Sequence, residues 1–307
     1  MLSYLPHRVR MPILNARQNR AARGILETPP IQPADDGVVL FSMIGTAVLL
    51  PYLVSVKSLW GSLRRGRVVI MDDGTLTDAD REILKGHCGN PEIFSIREVD
   101  TQGFPRGGTW ERLLTIVDRR KDAYWIQVDS DTVTLGPVPE LAEAIAANRS
   151  FTLLGDERSP TELLTGRAFA ARCQPQGPKE GHVQLRIESR LDQPPTADIL
   201  YLRGCSGFAG FRRCDEGRQV ASRITRALTE LIGAEAMEIW GTEQVASNYI
   251  VANDPDPVCL PYGRYMNYWG VAYDPGVSFV HFIGPHRHHG GAYAKATRQA
   301  IASLAAA

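Results

Sequence analysis

The chain has 307 residues, of which 34 are basic and 34 acidic, so its formal net charge is zero. Hydrophobic residues make up 44% of it and charged residues 22%, which excludes a disordered chain, a collagen-like repeat and a polytopic membrane protein. The charge balance argues against nucleic acid as the main partner, because phosphate binding requires a basic excess. Five scattered cysteines lack C-x-x-C spacing, so neither a disulfide framework nor a zinc knuckle is supported, and we expect a cytoplasmic location.

In chain order, the first segment is a basic extension at residues 1–34. It carries five arginines against one acid, Glu27, lacks the long apolar core of a signal peptide and ends among prolines. We interpret it as poorly ordered or loosely docked beside a single domain at 35–307. It is either a solvated tail or a peripheral contact with an anionic membrane surface, where each basic residue contributes about 1 kcal/mol.

The stretch 38–54 contains no charged residue and is nearly long enough to span a bilayer. Polar and helix-breaking residues interrupt it: Ser42, Gly45, Thr46 and Pro51. It also divides naturally into a strand, a turn and a helix. We therefore expect no membrane span here.

Beyond residue 35, strands and helices alternate, which is typical of an α/β fold with a mainly parallel central sheet flanked by helices. The predicted strands are 38–43, 67–71, 124–128, 151–154, 182–187, 199–203, 208–212 and 277–283. The predicted helices are 51–63, 78–85, 110–120, 139–147, 217–232, 242–252 and one that begins near Ala292. The segment 158–195 is rich in charged residues, Gly, Pro and Gln, and we expect an excursion over the sheet that affects substrate specificity.

The strongest local signal is Asp129-Ser130-Asp131, although D-x-D alone is weak because the chain contains three such motifs. The copy at 78–80 lies at a helix start and the copy at 254–256 in a polar loop, whereas this one follows an apolar strand. Ligands of open α/β sheets bind at the carboxyl ends of strands. Two carboxylates there suit Mn²⁺ or Mg²⁺, which can bridge to a diphosphate. The alternative is a polar strand end that caps the next turn.

His281 lies near the end of the predicted strand 277–283 and could add a nitrogen ligand to a carboxylate-bound Mn²⁺. Gly284 would let the backbone approach a phosphate closely, and Arg287 could neutralise phosphate oxygens. The other histidines of this segment could form a separate metal site or a solvated turn, and we favour the solvated turn; they are His286, His288 and His289.

Glu243 and Gln244 begin the predicted helix 242–252. An acid followed by an amide at a helix start can point into a cleft. The alternative is a simple helix cap, with Thr242 as the N-cap and the acid interacting with the helix dipole.

Four features occur in an order that resembles the GT-A-fold, metal-dependent glycosyltransferases, and most of all the retaining glycosyltransferase family 8. They are a strand ending in D-x-D, a Ser-Gly turn at 206–207, an acid-Gln-x-x-x-Asn helix start and a final H-x-x-G-x-x-basic segment. The resemblance extends over residues 36–290. It implies a single GT-A (Rossmann-like) domain, with 158–195 on the acceptor side.

The resemblance also implies roles for individual residues. Asp129, Asp131 and His281 would hold Mn²⁺ or Mg²⁺, and Glu243 and Gln244 would lie at the reacting carbon of the sugar. The donor would be contacted by Asp129, Ser130, Ser206, Gly207, Gly284 and Arg287, and its nucleoside would be framed by Phe41, Ser42, Asp72 and Asp73. The chain keeps the family's helix asparagine as Asn248 but departs from the family pattern at Cys205, Val245, His288 and His289.

The implied activity is that of a hexosyltransferase, with retention, that uses a nucleotide diphosphate sugar of the UDP class. The acceptor would be a carbohydrate, a lipid-linked sugar or a small molecule. Two alternatives use the same residues. One is a metal-dependent phosphohydrolase of a nucleotide sugar, and the other is a noncatalytic nucleotide-sugar-binding protein.

Overall fold

The computed structural model describes residues 7–173 and 182–306. The strands are β1 (Val38–Ile44), β2 (Arg67–Asp72), β3 (Glu92–Ser95), β4 (Tyr124–Val128), β5 (Thr132–Thr134), β6 (Phe151–Leu154), β7 (Leu164–Thr165), β8 (Leu200–Tyr201), β9 (Gly204–Phe211), β10 (Val258–Cys259), β11 (Tyr265–Asn267) and β12 (Phe279–His281). A seven-stranded sheet has the order β10-β6-β9-β4-β1-β2-β3, and a smaller sheet has the order β11-β12-β5. In the large sheet β9 is antiparallel to both of its neighbours and the other pairs are parallel, which confirms the predicted mainly parallel α/β sheet.

The helices are α1 (His7–Ala22), α2 (Leu49–Leu63), α3 (Asp78–His87), α4 (Trp110–Arg119), α5 (Pro139–Ala146), α6 (Gly166–Cys173), α7 (Val183–Glu188), α8 (Arg218–Ile232), α9 (Ala234–Met237), α10 (Thr242–Asn253) and α11 (Ala292–Ala305). They cover both faces of the large sheet. Along β1, Leu40 packs into the core that includes α2 and α11, while Val39 and Phe41 pack into the core that includes α4, α8 and α10. Burial on both faces explains why this strand is a continuous apolar run.

The apolar stretch that includes α2 fills one of these cores. By length and composition alone, the 18 residues Thr46–Leu63 could cross a membrane, with a mean hydropathy of 1.2. In the fold, however, 61% of this stretch is buried, and Tyr52, Leu53 and Val56 are almost inaccessible to solvent. The helix packs against β5 and α11, as a core helix does.

The N-terminal segment corrects a prediction. Instead of being poorly ordered or loosely docked, α1 and the 3₁₀ turn that follows it pack against α2 and α11. Ala22 and Ile25 are inaccessible to solvent, Ile31 is 2% exposed, and the Gln18 amide donates to Thr297 Oγ1 at 2.7 Å. The arginines suggested a solvated segment, but the small and aliphatic residues between them belong to the core. The division of the chain near residue 35 stays a prediction.

The predicted strand 182–187 was also wrong, because this segment forms α7. The alternation of Val, Leu and Ile suggests a strand, but the buried residues lie four apart, Val183 with Ile187 and Gln184 with Glu188. That spacing is helical. The histidine before Val183 caps the helix, since its Nδ1 accepts from Gln184 N at 3.3 Å. Residues 174–181 of the predicted excursion lie outside the described residues.

Candidate metal centre and transfer site

Three side chains with metal-binding chemistry meet at one edge of the large sheet: Asp129, Asp131 and His281. Their ligand atoms all lie within 4.8 Å of one another. His281 Nε2 is 3.3 Å from Asp131 Oδ1 and 3.9 Å from Asp129 Oδ2. Asp131 and His281 are buried, whereas 30% of the Asp129 side chain is accessible. The structure therefore brings the predicted ligand set together, and solvent reaches it from the Asp129 side.

Short strands on both sides of the D-x-D motif produce this arrangement. Asp129 follows β4, and its N–H donates to Gly207 O in β9 at 2.9 Å. β5 begins directly after Asp131 and pairs antiparallel with β12, so that Thr132 lies opposite His281. The end of β12 therefore lies beside the start of β5, which is why a histidine from the C-terminal part of the chain reaches the two carboxylates. Within the motif, Ser130 O accepts from the Tyr293 hydroxyl at 3.2 Å.

Asn267 determines which nitrogen of His281 faces the carboxylates. Asn267 Oδ1 is 2.8 Å from His281 Nδ1, and Asn267 Nδ2 donates to Leu154 O at 3.0 Å and Gly155 O at 2.8 Å. Because backbone carbonyls only accept, the amide must present its nitrogen to them and its oxygen to the ring. Nδ1 therefore carries a hydrogen, and Nε2 points at the carboxylates. This is the usual arrangement of a metal-binding histidine and its hydrogen-bonded partner.

Gly207 leaves room for the imidazole. A Cβ at this position would lie 2.2 Å from His281 Cε1 and 2.7 Å from His281 Nε2. Contacts this short do not occur, so any other residue would displace either the ring or β9. Gly207, which the family resemblance places at the donor, thus leaves the space that the His281 ring occupies in the candidate metal centre.

Two arginines balance the acids of the site. Arg287 Nη2 pairs with Asp131 Oδ2, and Arg112 Nη1 pairs with Asp129 Oδ1. Burial raises the pKa of Asp131, but His281 and Arg287 outweigh it and lower the pKa to about 2. Asp131 is therefore a carboxylate at any pH near neutrality.

His281 responds to the same charges. Burial lowers its pKa, but Cys205 and Asp131 outweigh burial and raise the pKa well above the ordinary value. These charges favour the imidazolium form, in which Nδ1–H donates to Asn267 and Nε2–H faces Asp131. A cation that binds at Nε2 must displace that proton.

Glu243 lies at the N-terminus of α10 and is only 1% exposed. Its Oε2 accepts from Thr109 Oγ1 at 2.8 Å and lies 3.8 Å from Arg112 Nη2. Its Oε1 is buried without a well-formed hydrogen bond to any described residue. Burial raises the pKa of Glu243, and Arg112 and Thr109 offset this only in part. One oxygen of this buried carboxylate is thus left without a well-formed hydrogen bond among the described residues.

Thr242 is not the N-cap of this helix, which corrects that part of the capping interpretation, although Glu243 does lie in the first turn. The N-cap is Gly241, without a side-chain hydrogen bond. The Thr242 hydroxyl is used elsewhere, since it donates to Met237 O at 2.8 Å and accepts from Trp110 Nε1 at 3.0 Å. Glu243 is directed into the interior beside Arg112 and is not a solvated cap.

Gln244 is tied to the segments on both sides of it. Its Oε1 accepts from Ser206 N at 3.3 Å, and its Nε2 donates to Gln184 Oε1 in α7. Gln184 donates in turn to Glu188 Oε1 at 2.9 Å. The excursion that the sequence placed on the acceptor side therefore contacts the site through α7.

Phe41 and Ser42, two of the residues predicted to frame the nucleoside, are buried inside the sheet. Phe41 packs edge-to-face on Trp125, with ring centroids 5.1 Å apart. Ser42 Oγ donates to Val128 O at 2.7 Å. Because both faces of β1 are covered, neither side chain is presented to a ligand, and this part of the prediction is corrected.

Asp72 and Asp73 occupy the turn after β2. Asp72 is buried and organises the turn by accepting from Gly74 N at 2.8 Å and Leu76 N at 3.2 Å. Asp73 is exposed and accepts from Thr75 N at 3.0 Å. Of the two, only Asp73 presents its side chain to solvent at the carboxyl edge of the sheet.

The turn after His281 keeps Gly284 and Arg287 close to the acids. Gly284 is exposed and has φ +41°, which favours glycine, and a Cβ added there would have no heavy atom of the described residues within 4 Å. Arg287 Nε donates to Phe282 O at 3.1 Å while its other end pairs with Asp131. The remaining histidines contact neighbours: His286 packs against Trp269, His288 Nε2 lies 3.1 Å from Asn15 Oδ1, and His289 packs against His286.

Two residues of the site carry no signal in the sequence. Arg112 lies off the apolar stripe of α4 and resembles a surface arginine, yet it is 4% exposed because two acids from other segments surround it. Asn267 lies in β11, a three-residue strand too short to be recognised from hydrophobic periodicity. Both follow from tertiary contacts alone.

The architecture is that of the GT-A fold: a Rossmann-like sheet with a D-x-D loop at its carboxyl edge and an α/β body around it. The chain matches no protein-family model and no curated protein sequence. Solved structures share its fold, and they confirm the predicted resemblance to family 8 glycosyltransferases at the level of the fold.

Three of these structures can be named. The galactosyltransferase LgtC, in complex with donor and acceptor sugar analogs, aligns with a TM-score of 0.51 and 10% identity over 87% of this chain and 96% of that chain. An active-site mutant of LgtC aligns with a TM-score of 0.54 and 11% identity over 87% and 95%. The bifunctional glycosyltransferase WbbM aligns with a TM-score of 0.53 and 12% identity over 91% of this chain and 53% of that chain.

Proposed function

We propose that the protein is a metal-dependent glycosyltransferase of the hexosyltransferase type. It moves a sugar, with retention, from a nucleotide diphosphate sugar of the UDP class to an acceptor. The observation that carries the proposal is the convergence of Asp129, Asp131 and His281 beside the buried Glu243, at the carboxyl edge of a GT-A sheet. The structure of LgtC with donor and acceptor sugar analogs supports the same class of ligands.

The donor set fits Mn²⁺, and Mg²⁺ is the alternative. Two carboxylates and one imidazole nitrogen are oxygen and nitrogen ligands that Mn²⁺ accepts, and Asn267 holds His281 with Nε2 toward the acids. When bound, the cation supplies Lewis-acid stabilisation of the charge on the diphosphate. Asp129, Asp131 and His281 would hold it.

Arg287 and the backbone at Gly284 act on the diphosphate side. The Arg287 side chain is 31% exposed at its ion pair with Asp131, so its guanidinium can turn to phosphate oxygens. A positive charge there stabilises the leaving group as its negative charge develops. The open backbone at Gly284 leaves space for the phosphates.

Glu243 and Gln244 act on the sugar side. A buried carboxylate oxygen without a well-formed partner stabilises the positive charge of an oxocarbenium-like sugar. In the transfer, the bond between the anomeric carbon and the diphosphate oxygen breaks, and a bond between that carbon and the acceptor oxygen forms. The acceptor's proton passes to the departing phosphate, so that a nucleoside diphosphate and a glycoside are the products.

The first experiment is a screen of UDP- and GDP-sugars for Mn²⁺-dependent release of the nucleotide, together with the thermal shift produced by UDP with and without Mn²⁺. A ligand at about 100 times its dissociation constant adds roughly 2.7 kcal/mol to stability. Equal shifts with Mn²⁺ and with EDTA would contradict the proposed metal site. Release of free phosphate would indicate a phosphohydrolase, and tight UDP binding without transfer would indicate a binding protein.

A pair of histidine variants tests the ligand assignment. His281→Ala should abolish most turnover, whereas His288→Ala, in the turn beyond, should cost far less. The two residues belong to the same segment, so general damage to the turn would affect both. Turnover measured across a Mn²⁺ titration separates them, and equal losses would show that the assigned ligand is wrong.

A further inference from the structure

Trp240 is the most exposed of the large hydrophobic side chains in the described parts of the chain, with 66% of its surface accessible. It lies in the turn between α9 and α10, three residues before Glu243. Isolated exposed apolar residues are common and need no explanation. The surroundings of this one, however, connect it to the candidate catalytic residues.

The turn that carries the indole is rigid. The Thr242 hydroxyl donates to Met237 O at 2.8 Å and accepts from Trp110 Nε1 at 3.0 Å, which ties the turn to α9 and to α4. Gly241 has φ +102°, and a Cβ there would lie 2.5 Å from His182 Cε1. The indole is therefore presented by a fixed backbone, and its exposure does not result from a loose turn.

On one side, the start of α7 links Trp240 to Gln244. His182 packs edge-to-face against Trp240, with ring centroids 5.1 Å apart and an interplanar angle of 84°. Two residues later, Gln184 accepts from Gln244 Nε2. The start of α7 thus contacts the indole and the candidate catalytic amide together.

On the other side, the loop at residues 108–109 links Trp240 to Glu243. A Cβ placed at Gly108 would lie 3.5 Å from Trp240 Cα, so this loop packs against the turn. The next residue, Thr109, donates to Glu243 Oε2 at 2.8 Å. Trp240 is therefore linked through the loop at 108–109 to Glu243 and through the start of α7 to Gln244, the two residues assigned to the reacting sugar carbon.

We propose that Trp240, with His182 beside it, is the acceptor subsite, and that the acceptor is a neutral carbohydrate whose pyranose ring stacks on the indole. The proposal rests on the proposed function and specifies its acceptor class. An exposed indole offers a large, rigid apolar face at low entropic cost, and the C–H face of a pyranose matches it. Burial lowers the pKa of His182, so the ring is uncharged near neutrality and suits a polyol. The carboxylates of Glu243 and Glu238, which flank the turn, disfavour an anionic acceptor.

The test compares Trp240→Ala, Trp240→Phe and Ile239→Ala. The probes are methyl glycosides of glucose, galactose and mannose, together with lactose and cellobiose, each with the sugar nucleotide that the screen identifies. Trp240→Ala should raise the KM for the acceptor by about tenfold, which is about 1.4 kcal/mol. It should leave Mn²⁺ binding unchanged. Trp240→Phe should keep most acceptor binding, and Ile239→Ala, which removes a 41% exposed neighbour, should have no effect.

An unchanged acceptor KM in Trp240→Ala, or an equal change in Ile239→Ala, would overturn the subsite. Saccharide-dependent quenching of tryptophan fluorescence, compared between the wild type and Trp240→Phe, tests it without turnover. The subsite would also be overturned if saccharides caused no quenching that involves Trp240, or if the enzyme transferred sugar only to lipid or peptide hydroxyls. Neither result would contradict the proposed glycosyltransferase function. The proposed function itself fails by a different result, which is the absence of metal-dependent nucleotide release from every donor.

Discussion

Asn267 holds His281 in place without itself being a metal ligand. Replacing it with alanine removes the acceptor for Nδ1–H, so the ring can rotate and lose its direction toward the acids. We expect Asn267→Ala to weaken Mn²⁺ binding about 10- to 100-fold, as removal of such hydrogen-bonded partners does in other metal sites. Titration calorimetry or the electron paramagnetic resonance of free Mn²⁺ measures this.

Asn253→Ala is the matched control. The Asn253 amide also donates to two carbonyls, Leu200 O and Tyr249 O, both at 2.8 Å, but it lies at the exposed end of α10. Its loss should leave Mn²⁺ binding as in the wild type. If Asn267→Ala binds Mn²⁺ as tightly as Asn253→Ala, Asn267 does not orient the ligand.

The raised pKa of His281 predicts that Mn²⁺ binding depends on pH. Below that pKa the ring binds a proton at Nε2, so a cation must displace it, and affinity should increase as pH rises from about 6 to 8. In that range each pH unit should strengthen binding by up to about tenfold. Calorimetry in buffers of different ionisation enthalpy should detect roughly one proton released per metal ion. Binding that is independent of pH would contradict the assignment of Nε2 as a ligand.

Glu243 is a buried charge whose pKa is raised chiefly by burial. Because its folded-state pKa exceeds the unfolded one, ionisation near neutrality costs stability, and this cost disappears as pH falls through the folded-state pKa. Glu243→Gln should therefore increase the free energy of unfolding by about 0.5–2 kcal/mol at neutral pH while lowering the transfer rate.

Urea denaturation at neutral pH and at about pH 4 measures the difference, which should shrink at the lower pH. Glu235→Gln, at an exposed position of α9, is the control and should change neither stability nor transfer. If Glu243→Gln is more stable than the wild type but fully active, Glu243 has no role in the transfer reaction.

The two carboxylates and His281 could be predicted because their chemistry is local: each lies at or near a strand end, and the carboxyl ends of strands mark the ligand edge of an open sheet. Arg112 and Asn267 could not, since an arginine off a helical stripe and an asparagine in a very short strand have many possible surroundings. The prediction for Phe41 and Ser42 failed for the opposite reason. Their strand was recognised correctly, but a central strand buries side chains on both faces up to its end.

At the scale of secondary structure, α1 and the 3₁₀ turn that follows it, residues 23–27, are expected to stabilise the folded core. Ile25 is fully buried, whereas its neighbour Leu26 is 40% exposed. Ile25→Ala should lower the free energy of unfolding by about 2–5 kcal/mol, because it leaves a cavity in the core. Leu26→Ala should lower the free energy of unfolding by well under half as much. Chemical denaturation of both variants measures this, and equal small losses would show that the segment is not part of the folded core.

Elements with a long and consistent hydrophobic pattern were predicted within a few residues, as α4, α8 and β4 show. The short segment that became α7 was misjudged, because six residues with alternating apolar positions fit both a strand and one and a half helical turns. The N-terminal helix was missed for another reason. Its composition is mostly polar, so the few small residues that pack give no clear helical pattern. The helix is stabilised by its contacts with α2 and α11.

For the whole molecule, the exposed arginines of the N-terminal segment are the residues that a peripheral membrane contact, one of the two alternatives for this segment, would use. Arg8, Arg17, Arg20 and Arg23 are exposed, and α1 contains no acidic residue. Replacing all four with glutamine should weaken binding to phosphatidylglycerol vesicles by roughly 4 kcal/mol at low salt, at about 1 kcal/mol per charge. Co-sedimentation measures it.

Vesicles of phosphatidylcholine provide the lipid control, and Arg223→Gln with Arg226→Gln on α8 provides the protein control, because these arginines are exposed on a different helix. Binding that is equal for both lipids, or equal losses in both variants, would leave the segment without a membrane role. The cytoplasmic location stays a prediction in either case.

The pairing of β5 with β12 also determines when during synthesis the site can exist. Asp129 and Asp131 are synthesised before the middle of the chain, whereas His281 is synthesised near its end. The pairing of β12 with β5 therefore closes a long loop of chain. A nascent chain that has just completed β4 carries both acids and still lacks the third ligand. Metal affinity of the full set would therefore develop only once the C-terminal strand has docked in its correct register, since a shift by one residue turns His281 to the other face of its sheet. Tight metal binding would then occur only in chains that have completed folding.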